Sequence, residues 1–235
     1  MKTINLLYEG KAKKIYSTES EDLVVVEYKD DATAFNGEKK SSFEEKGVIN
    51  NKITTQIFKY LNENGVKTHF VKKLSEREQL VKKVDIIPLE VVVRNVVAGS
   101  LKRRTGLTEG AEILPSLVEF YYKDDDLGDP LLNKGHIKLL NLASRKELMI
   151  LEDAARKINV LLRNFFEAKD IIIVDFKLEF GYDMNNEIIL ADEISPDTCR
   201  LWDATTKKKL DKDVFRFDLG NLTESYKFIE KRLGA

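Results

Sequence analysis

The stretch IIIVDFKLEFG, residues Ile171 to Gly181, begins with four apolar residues and then sets Asp175, Lys177 and Glu179 at alternate positions. Side chains two apart on a strand share a face, so the spacing predicts a charged row on one side and Phe176, Leu178 and Phe180 on the other. A second β-rich run, EIILADEIS, carries Asp192 near its end. Glu179 and Asp192, on adjacent strands, repel unless a positive charge lies between them. A magnesium ion holding nucleotide phosphates is one solution. A solvated sheet face, with Lys177 and other bases as counter-charges, is the other, and spacing alone leaves both open.

Three further segments hold chemistry-bearing groups. YEGKAKKIY sets a glycine and three lysines between two β-runs. Turn N–H groups and a lysine can hold nucleotide phosphates, and a plain hairpin with solvated lysines is the alternative, because neither the P-loop nor the dinucleotide pattern is present. In IPLEVVVRNVVAGSLKRRTG, Glu90, Val92 and Arg94 share one strand face, followed by a Gly99-Ser100 turn. Guanidinium forks match phosphate oxygens, and a Glu90–Arg94 ion pair is the bland alternative. Lys102, Arg103 and Arg104 read as a solvated turn, lacking the interleaved aromatics of a nucleic-acid surface. ADEISPDTCRLWD concentrates Asp192, Glu193, Ser195, Asp197, Arg200 and Asp203 just after an apolar strand, which favours a site. Cys199 reads as a bystander, and His69 and His136, the two histidines, as surface or packing residues, leaving zinc without ligands.

These groups need a scaffold. The first third alternates β-rich runs with polar turns, INLLYEG, KKIYSTES, DLVVVEYKD, KTHFVKKL and QLVKKVDII, which predicts a small antiparallel sheet. One helix interrupts it, with Ile49, Ile53, Ile57, Tyr60 and Leu61 on one stripe and a stop at Gly65. A strand-rich stretch follows Pro88, and Lys123 to Gly135 reads as a loop. Ser144 and Glu147 form a capping box for a helix whose Leu148, Leu151, Ala155, Ile158, Leu162 and Phe165 recur at helical spacing. Residues 171–194 then read as a hairpin, and Leu222 to Leu233 as a surface helix.

The 235 residues, 43% apolar, suffice for two lobes sharing a cleft. With 39 basic against 40 acidic residues, no global field favours nucleic acid or an anionic membrane. A single cysteine and the lack of a long apolar run predict a soluble protein of a reducing compartment, the cytoplasm.

Taken together, LYEGKAKKIY, IPLEVVVRNVVAGS, IVDFKLEFG, DEISPDTCRLWD and DKDVFR closely resemble the phosphoribosylaminoimidazole-succinocarboxamide synthases, the SAICAR synthetase family, in order and spacing from about Leu7 to Leu233. The resemblance implies an α+β fold of two lobes, related to ATP-grasp enzymes and kinases, with residues 1–86 covering the nucleotide and 87–235 forming the second lobe. It implies an ATP-dependent ligase of purine biosynthesis that joins L-aspartate to the carboxylate of 5-amino-1-(5-phosphoribosyl)imidazole-4-carboxylate (CAIR), giving ADP and phosphate. A carboxylate is a poor electrophile, so ATP converts it to an acyl phosphate, a step that calls for Mg2+ and cations around the moving phosphoryl group.

Carried over by motif, Gly10, Lys11, Ala12 and Lys13 cover the ATP phosphates, and Ile15 and Val24 join Val81, Lys82, Val84 and Ile86 at the adenine, the segment Val81 to Ile86 forming its strand. Glu179 and Asp192 bind magnesium. Arg94, Ser100 and Arg200 hold the 5′-phosphate of CAIR, with Glu90 and Asp175 near its ribose or base. Lys177 neutralises phosphate or substrate carboxylate, and Lys13, Lys177 and Arg200 are the catalytic cations. Asn36 stands where many relatives carry aspartate and is a possible contact only, while Asp129 is a candidate to meet the amine of L-aspartate. A homodimer is expected for an enzyme of this kind.

Overall fold

A computed structural model describes residues 3–34 and 37–235. Asn36 lies outside them. The first sheet is antiparallel, built from β1 (Leu6–Glu9), β2 (Lys13–Ser17), β3 (Leu23–Tyr28), β6 (Phe70–Lys73) and β7 (Glu78–Lys82) in the order β1-β2-β3-β7-β6. A small hairpin, β4 (Asp31–Ala34) and β5 (Lys39–Ser42), and the helix α1 (Lys46–Glu63) lie between β3 and β6 in sequence. Ile49, Ile53, Ile57 and Leu61 of α1 are fully buried, as the helical stripe predicts, while Tyr60 of that stripe is only half-buried and Phe58, outside it, is fully buried. Each such side chain stabilises the fold by about 1.5–3 kcal/mol relative to exposure.

The second sheet carries the charged row. Its path is β10 (Leu131–Leu132), β9 (Glu112–Tyr122), β8 (Asp85–Val96), β11 (Ile171–Tyr182) and β12 (Ile188–Ala191), with β13 (Cys199–Asp203) also on β11. On one edge β11 pairs with β8 along most of its length. On the other, β13 pairs with Ile171 to Phe176 and β12 with Glu179 to Tyr182. The chain from Asp192 to Thr198 therefore leaves and rejoins the sheet beside Lys177, whose N–H donates to the Thr198 carbonyl at 2.9 Å. This change of partner strand delivers Asp192 to the row, and it does so with Asp192 in the left-handed region at φ 59°.

Phe176, Leu178 and Phe180 face the main core with α4 (Arg145–Glu167). Its capping box is the expected one: the Ser144 hydroxyl accepts from the Glu147 N–H, and the Glu147 carboxylate accepts from the Ser144 N–H. The last helix, α6 (Leu222–Leu233), has its expected bounds and buries Tyr226, Ile229 and Leu233. Two short helices, α2 (Gly99–Thr105) and α3 (Lys134–Leu139), precede α4 in the chain, and α5 (Asp213–Arg216) precedes α6.

Several sequence expectations change. β8 runs through Pro88 from Asp85 instead of starting after it. Gly99 to Thr105 is a helix and not a turn, and the polar segment after Asp192 contains a further strand, Cys199 to Asp203. The expected adenine strand from Val81 to Ile86 is the end of β7, a short link at Lys83 and Val84, and the start of β8. The two sheets also meet through a backbone clip: the His69 N–H donates to the Leu190 carbonyl at 2.8 Å, and the Leu190 N–H to the Lys67 carbonyl at 3.0 Å.

Candidate active site

The charged row of β11 faces a cleft of about 980 Å³ between the two sheets. Glu179 lies directly opposite Glu90 of β8 and opposite Ala191 of β12. Like charges facing each other across a sheet are destabilising, and the ammonium of Lys177 relieves this pair: its Nζ lies 3.0 Å from Glu90 Oε1, contacts Glu179 Oε1, and lies 3.7 Å from Asp192 Oδ2. Lys123, at the end of β9, reaches the same Glu179 oxygen at 2.9 Å. From the first sheet, Lys13 of β2 ion-pairs with Asp192 and lies 3.0 Å from Glu193 Oε1. Three lysines thus converge on Glu179 and Asp192, and the positive charge demanded by those two carboxylates is supplied here by side chains.

The electrostatics follow. Burial pulls the Lys177 ammonium down, but Glu179, Asp192 and Glu90 together outweigh it and hold the group well above the usual lysine range. Burial of Asp192 opposes ionisation, yet Lys13 and Lys177 keep its carboxyl far below the usual range. Glu90 goes the other way, because desolvation outweighs its contact with Lys177.

Further along the row, Asp175 bridges two arginines. Its Oδ2 accepts from Arg94 Nη1 at 2.8 Å and from Arg200 Nη1 at 3.0 Å. Arg94 is buried and engaged at every nitrogen, by Asp175, by Glu119 at 2.6 Å, and by the hydroxyls of Ser100 and Tyr121 at 3.0 Å each. The alternative reading, a Glu90–Arg94 ion pair, does not hold: four residues along a strand span about 13 Å, and the two pair instead with Lys177 and Asp175. Arg200 is more open; its Nε donates to Asp213 at 2.9 Å. Its guanidinium lies against Gly99, where a Cβ would come within 2.6 Å of it. Gly99 has φ 53°, so both backbone and space require glycine there.

Gly10, Lys11 and Ala12 at the β1–β2 turn line the same cleft, together with Ile15, Val24, Val81 and Lys82 of the first sheet, Val84 of the link and Ile86 of β8; Val24 and Val81 are direct partners on neighbouring strands. The Gly10 N–H donates to the Lys13 carbonyl at 2.9 Å, closing the turn that carries Lys11 and Ala12. Lys11 reaches Asp125 at 2.6 Å. Among the described residues, all of Gly10, Lys11, Ala12, Lys13, Ile15, Val24, Val81, Lys82, Val84, Ile86, Glu90, Arg94, Ser100, Asp175, Lys177, Glu179, Asp192 and Arg200 line this one cleft.

The comparisons with known proteins decide the family. The family model described as SAICAR synthetase matches residues 6–233. The chain belongs to the SAICAR synthetase family. A phosphoribosylaminoimidazole-succinocarboxamide synthase of Bacillus mycoides (strain KBAB4) is 62% identical over 235 residues, which is 100% of this chain and 98% of that protein. The crystal structure of the synthase from Ehrlichia chaffeensis superposes with a TM-score of 0.96 at 45% identity, covering 98% of this chain and 99% of the other. A type-2 SAICAR synthetase in complex with ADP superposes with a TM-score of 0.93 at 54% identity, covering 96% of each chain.

Sequence reasoning missed other groups of this SAICAR synthetase cleft. Lys123 read as the start of a loop. His69 is buried and lines the cleft, with desolvation lowering its pKa to about 4, so the imidazole is neutral. Cys199 is buried beside Asp175, and burial pushes its thiol far up. Asp129, which the sequence did offer as a candidate, lines the cleft at φ 49°, and its Oδ1 accepts from the Asp124 N–H. His136 is exposed and takes part in the cap of α3. Lys212 and Arg216 also line the cleft, from the DKDVFR segment that entered only as a family motif. Among the described residues, no helix is long and apolar enough to cross a membrane.

Proposed function

We propose that this chain joins L-aspartate to the carboxylate of CAIR at the expense of ATP. The observation that supports this most is the convergence of Lys13, Lys123 and Lys177 on Glu179 and Asp192, next to the Arg94–Asp175–Arg200 chain. One end of that array suits a phosphoryl group in transit and the other a ribonucleotide phosphate. In the first step a CAIR carboxylate oxygen attacks the γ-phosphorus and the bond to ADP breaks. In the second, the amine nitrogen attacks the acyl carbon, phosphate leaves, and the nitrogen gives up a proton.

The residues divide the work by chemistry. Backbone groups of Gly10, Lys11 and Ala12 cover the phosphates. Ile15, Val24 and Val81 supply apolar surface for the adenine, and Lys82, Val84 and Ile86 border its edge. Lys13 and Lys177 neutralise the charge that builds up on the transferring phosphoryl group, where preorganised cations are most effective. Arg200 and Ser100 meet the 5′-phosphate, and Arg94 fixes Asp175 and Ser100 in place. Residues 1–86 and 87–235 act as the two lobes around the nucleotide.

Glu179 and Asp192 are the groups that would hold magnesium. No three His, Cys, Asp or Glu side chains converge as a metal cage among the described residues. Magnesium needs none, being commonly held by one or two carboxylates and substrate phosphates, so the donors fit. When bound it supplies Lewis-acid neutralisation of phosphate charge. We place the protein in the cytoplasm as a homodimer.

The test is incubation with ATP, magnesium and CAIR, with and without L-aspartate. Aspartate-dependent release of ADP, phosphate and the succinocarboxamide is expected. A stable phosphorylated product formed without aspartate would make the protein a kinase, and no turnover would remove the enzyme reading altogether.

A further inference from the structure

Lys212 and Arg216 stand out in the wall of the cleft. Lys212 is the residue before α5, and Arg216 lies four positions on, its N–H donating to the Lys212 carbonyl at 3.0 Å. Residues four apart on a helical turn are neighbours, and like charges there repel. Arg216 is tied to Asp213 at 2.7 Å. Lys212 is half-buried and, among the described residues, has no carboxylate within ion-pairing distance; Lys83, the other unpaired cleft lysine among them, is exposed.

The nearby Asp197 does not fill that role. Its two oxygens are occupied by Lys46 at 2.5 Å and by the Tyr226 hydroxyl at 2.6 Å. Burial, together with the fields of Arg216 and Lys46, pulls the Lys212 ammonium below its ordinary value despite Asp197 and Glu193. A cation held in this way gains from an incoming anion, so the pair forms an anion-binding wall.

Its place points to the ligand. On one side Asp213 links the pair to Arg200, the phosphate-side arginine. On the other, Lys212 feels Glu193, which contacts Lys13 at the phosphoryl-transfer end. An amine that attacks the acyl phosphate has to lie between those two ends. The neighbouring Asp197, Asp213 and Glu193 make the wall mixed in sign, which suits a carboxylate that carries its own ammonium better than a phosphate dianion.

We propose that Lys212 and Arg216 bind a carboxylate of the amino-acid substrate L-aspartate, an assignment that rests on the ligase reading given above. Lys212 supplies the contact and Arg216 a second donor beside it.

The test compares the unaltered protein with Lys212→Met, Lys212→Arg and Arg216→Gln, each first checked for native unfolding behaviour. In Lys212→Met the KM for L-aspartate is expected to rise about ten- to hundredfold, the span of a charge-assisted hydrogen bond, with the KM values for ATP and CAIR within about twofold. Lys212→Arg recovers part of the loss. Hydroxylamine, which traps acyl phosphates and has no carboxylate, gives a smaller drop in turnover than L-aspartate in the same variant. A rise confined to the KM for CAIR would make the pair a phosphate site, and unchanged values for all three substrates would leave it structural; either result overturns the proposal. Lack of aspartate-dependent turnover in the unaltered protein would instead remove the ligase reading beneath it.

Discussion

Gly99→Ala tests whether the Arg200 guanidinium must lie where it does. A Cβ at residue 99 would stand 2.6 Å from the guanidinium carbon and from one terminal nitrogen. Ordinary carbon contacts are about 3.5–4.0 Å, so the arginine has to retreat by about 1 Å. Arg200 Nη1 starts 3.0 Å from Asp175, and that retreat takes it out of hydrogen-bonding range. A charge-assisted hydrogen bond contributes about 1.5–3 kcal/mol. Placing alanine at φ 53° adds about 1–2 kcal/mol of backbone strain. The control lies at the other end of the same helix: Gly106 has φ 72° and nothing within 4 Å of its Cβ position, so Gly106→Ala bears the backbone cost alone. We expect both variants to lower the urea midpoint, and only Gly99→Ala to raise the KM for CAIR, by about tenfold or more. Steady-state kinetics at saturating ATP and L-aspartate measures this. Equal KM values in the two variants, or a crystal structure of Gly99→Ala with Arg200 unmoved, would refute the reasoning.

Three further outcomes follow from the charged row and the clip. Glu179→Gln is expected to lower turnover about 100-fold or more while the fold persists; full activity at limiting magnesium would remove Glu179 from the site. Lys177→Met leaves Glu90 and Glu179 facing each other, and should cost roughly 3 kcal/mol in urea unfolding, at the low end for a broken buried pair because Lys123 still holds Glu179 at 2.9 Å. A loss below about 1 kcal/mol would mean that solvent already screens the pair. His69, with its pKa depressed to about 4 by burial, adds stability that is fully present above its unfolded value of about 6.5 and is lost as pH falls toward 4. At pH 5 that loss is about 2 kcal/mol. His69→Phe should therefore narrow the stability difference between pH 7 and pH 5 by about that amount, and an unchanged difference would show that the ring is not neutral by burial.

What the sequence made legible had local causes. Alternation in IVDFKLEFG predicted a charged face and an apolar face, and β11 has both; the capping box at Ser144 and Glu147 marked the start of α4. What it concealed depends on distant partners. β9 holds Pro115 and is largely exposed, so its residues lack the clean alternation that marks a half-buried strand. Cys199 to Asp203 is a strand only because β11 offers it an edge from Ile171 to Phe176. Glu90 and Arg94 share a face as expected, but strand rise separates them, and each finds its counter-charge on β11. Nothing local to DKDVFR says that Lys212 and Arg216 turn into the cleft, because their position is set by the backbone bond from Lys212 to Pro196 and by Asp211, which accepts the N–H groups of Leu201 and Asp213.

The pairing of cleft charges bears on how the site exchanges ligands. Lys13, Lys123 and Lys177 each hold a carboxylate, so the cleft without substrate carries little uncompensated charge at its base. A nucleotide brings several negative charges, and these compete with Glu179 and Asp192 for the same ammonium groups. Once the lysines turn to phosphate, both carboxylates lose their counter-charge and repel, as Glu179 and Glu90 already would without Lys177. A hard divalent cation entering with the phosphates would relieve that repulsion, and on the proposed reading binding of metal and nucleotide would be mutually favourable in the sense of linked equilibria. The cost of separating the lysines from their carboxylates is therefore met only when both arrive, and a nucleotide without its metal should bind weakly. Isothermal titration of ADP with and without magnesium measures that coupling. Equal affinities in the two conditions would mean that the lysines keep their carboxylates when nucleotide binds.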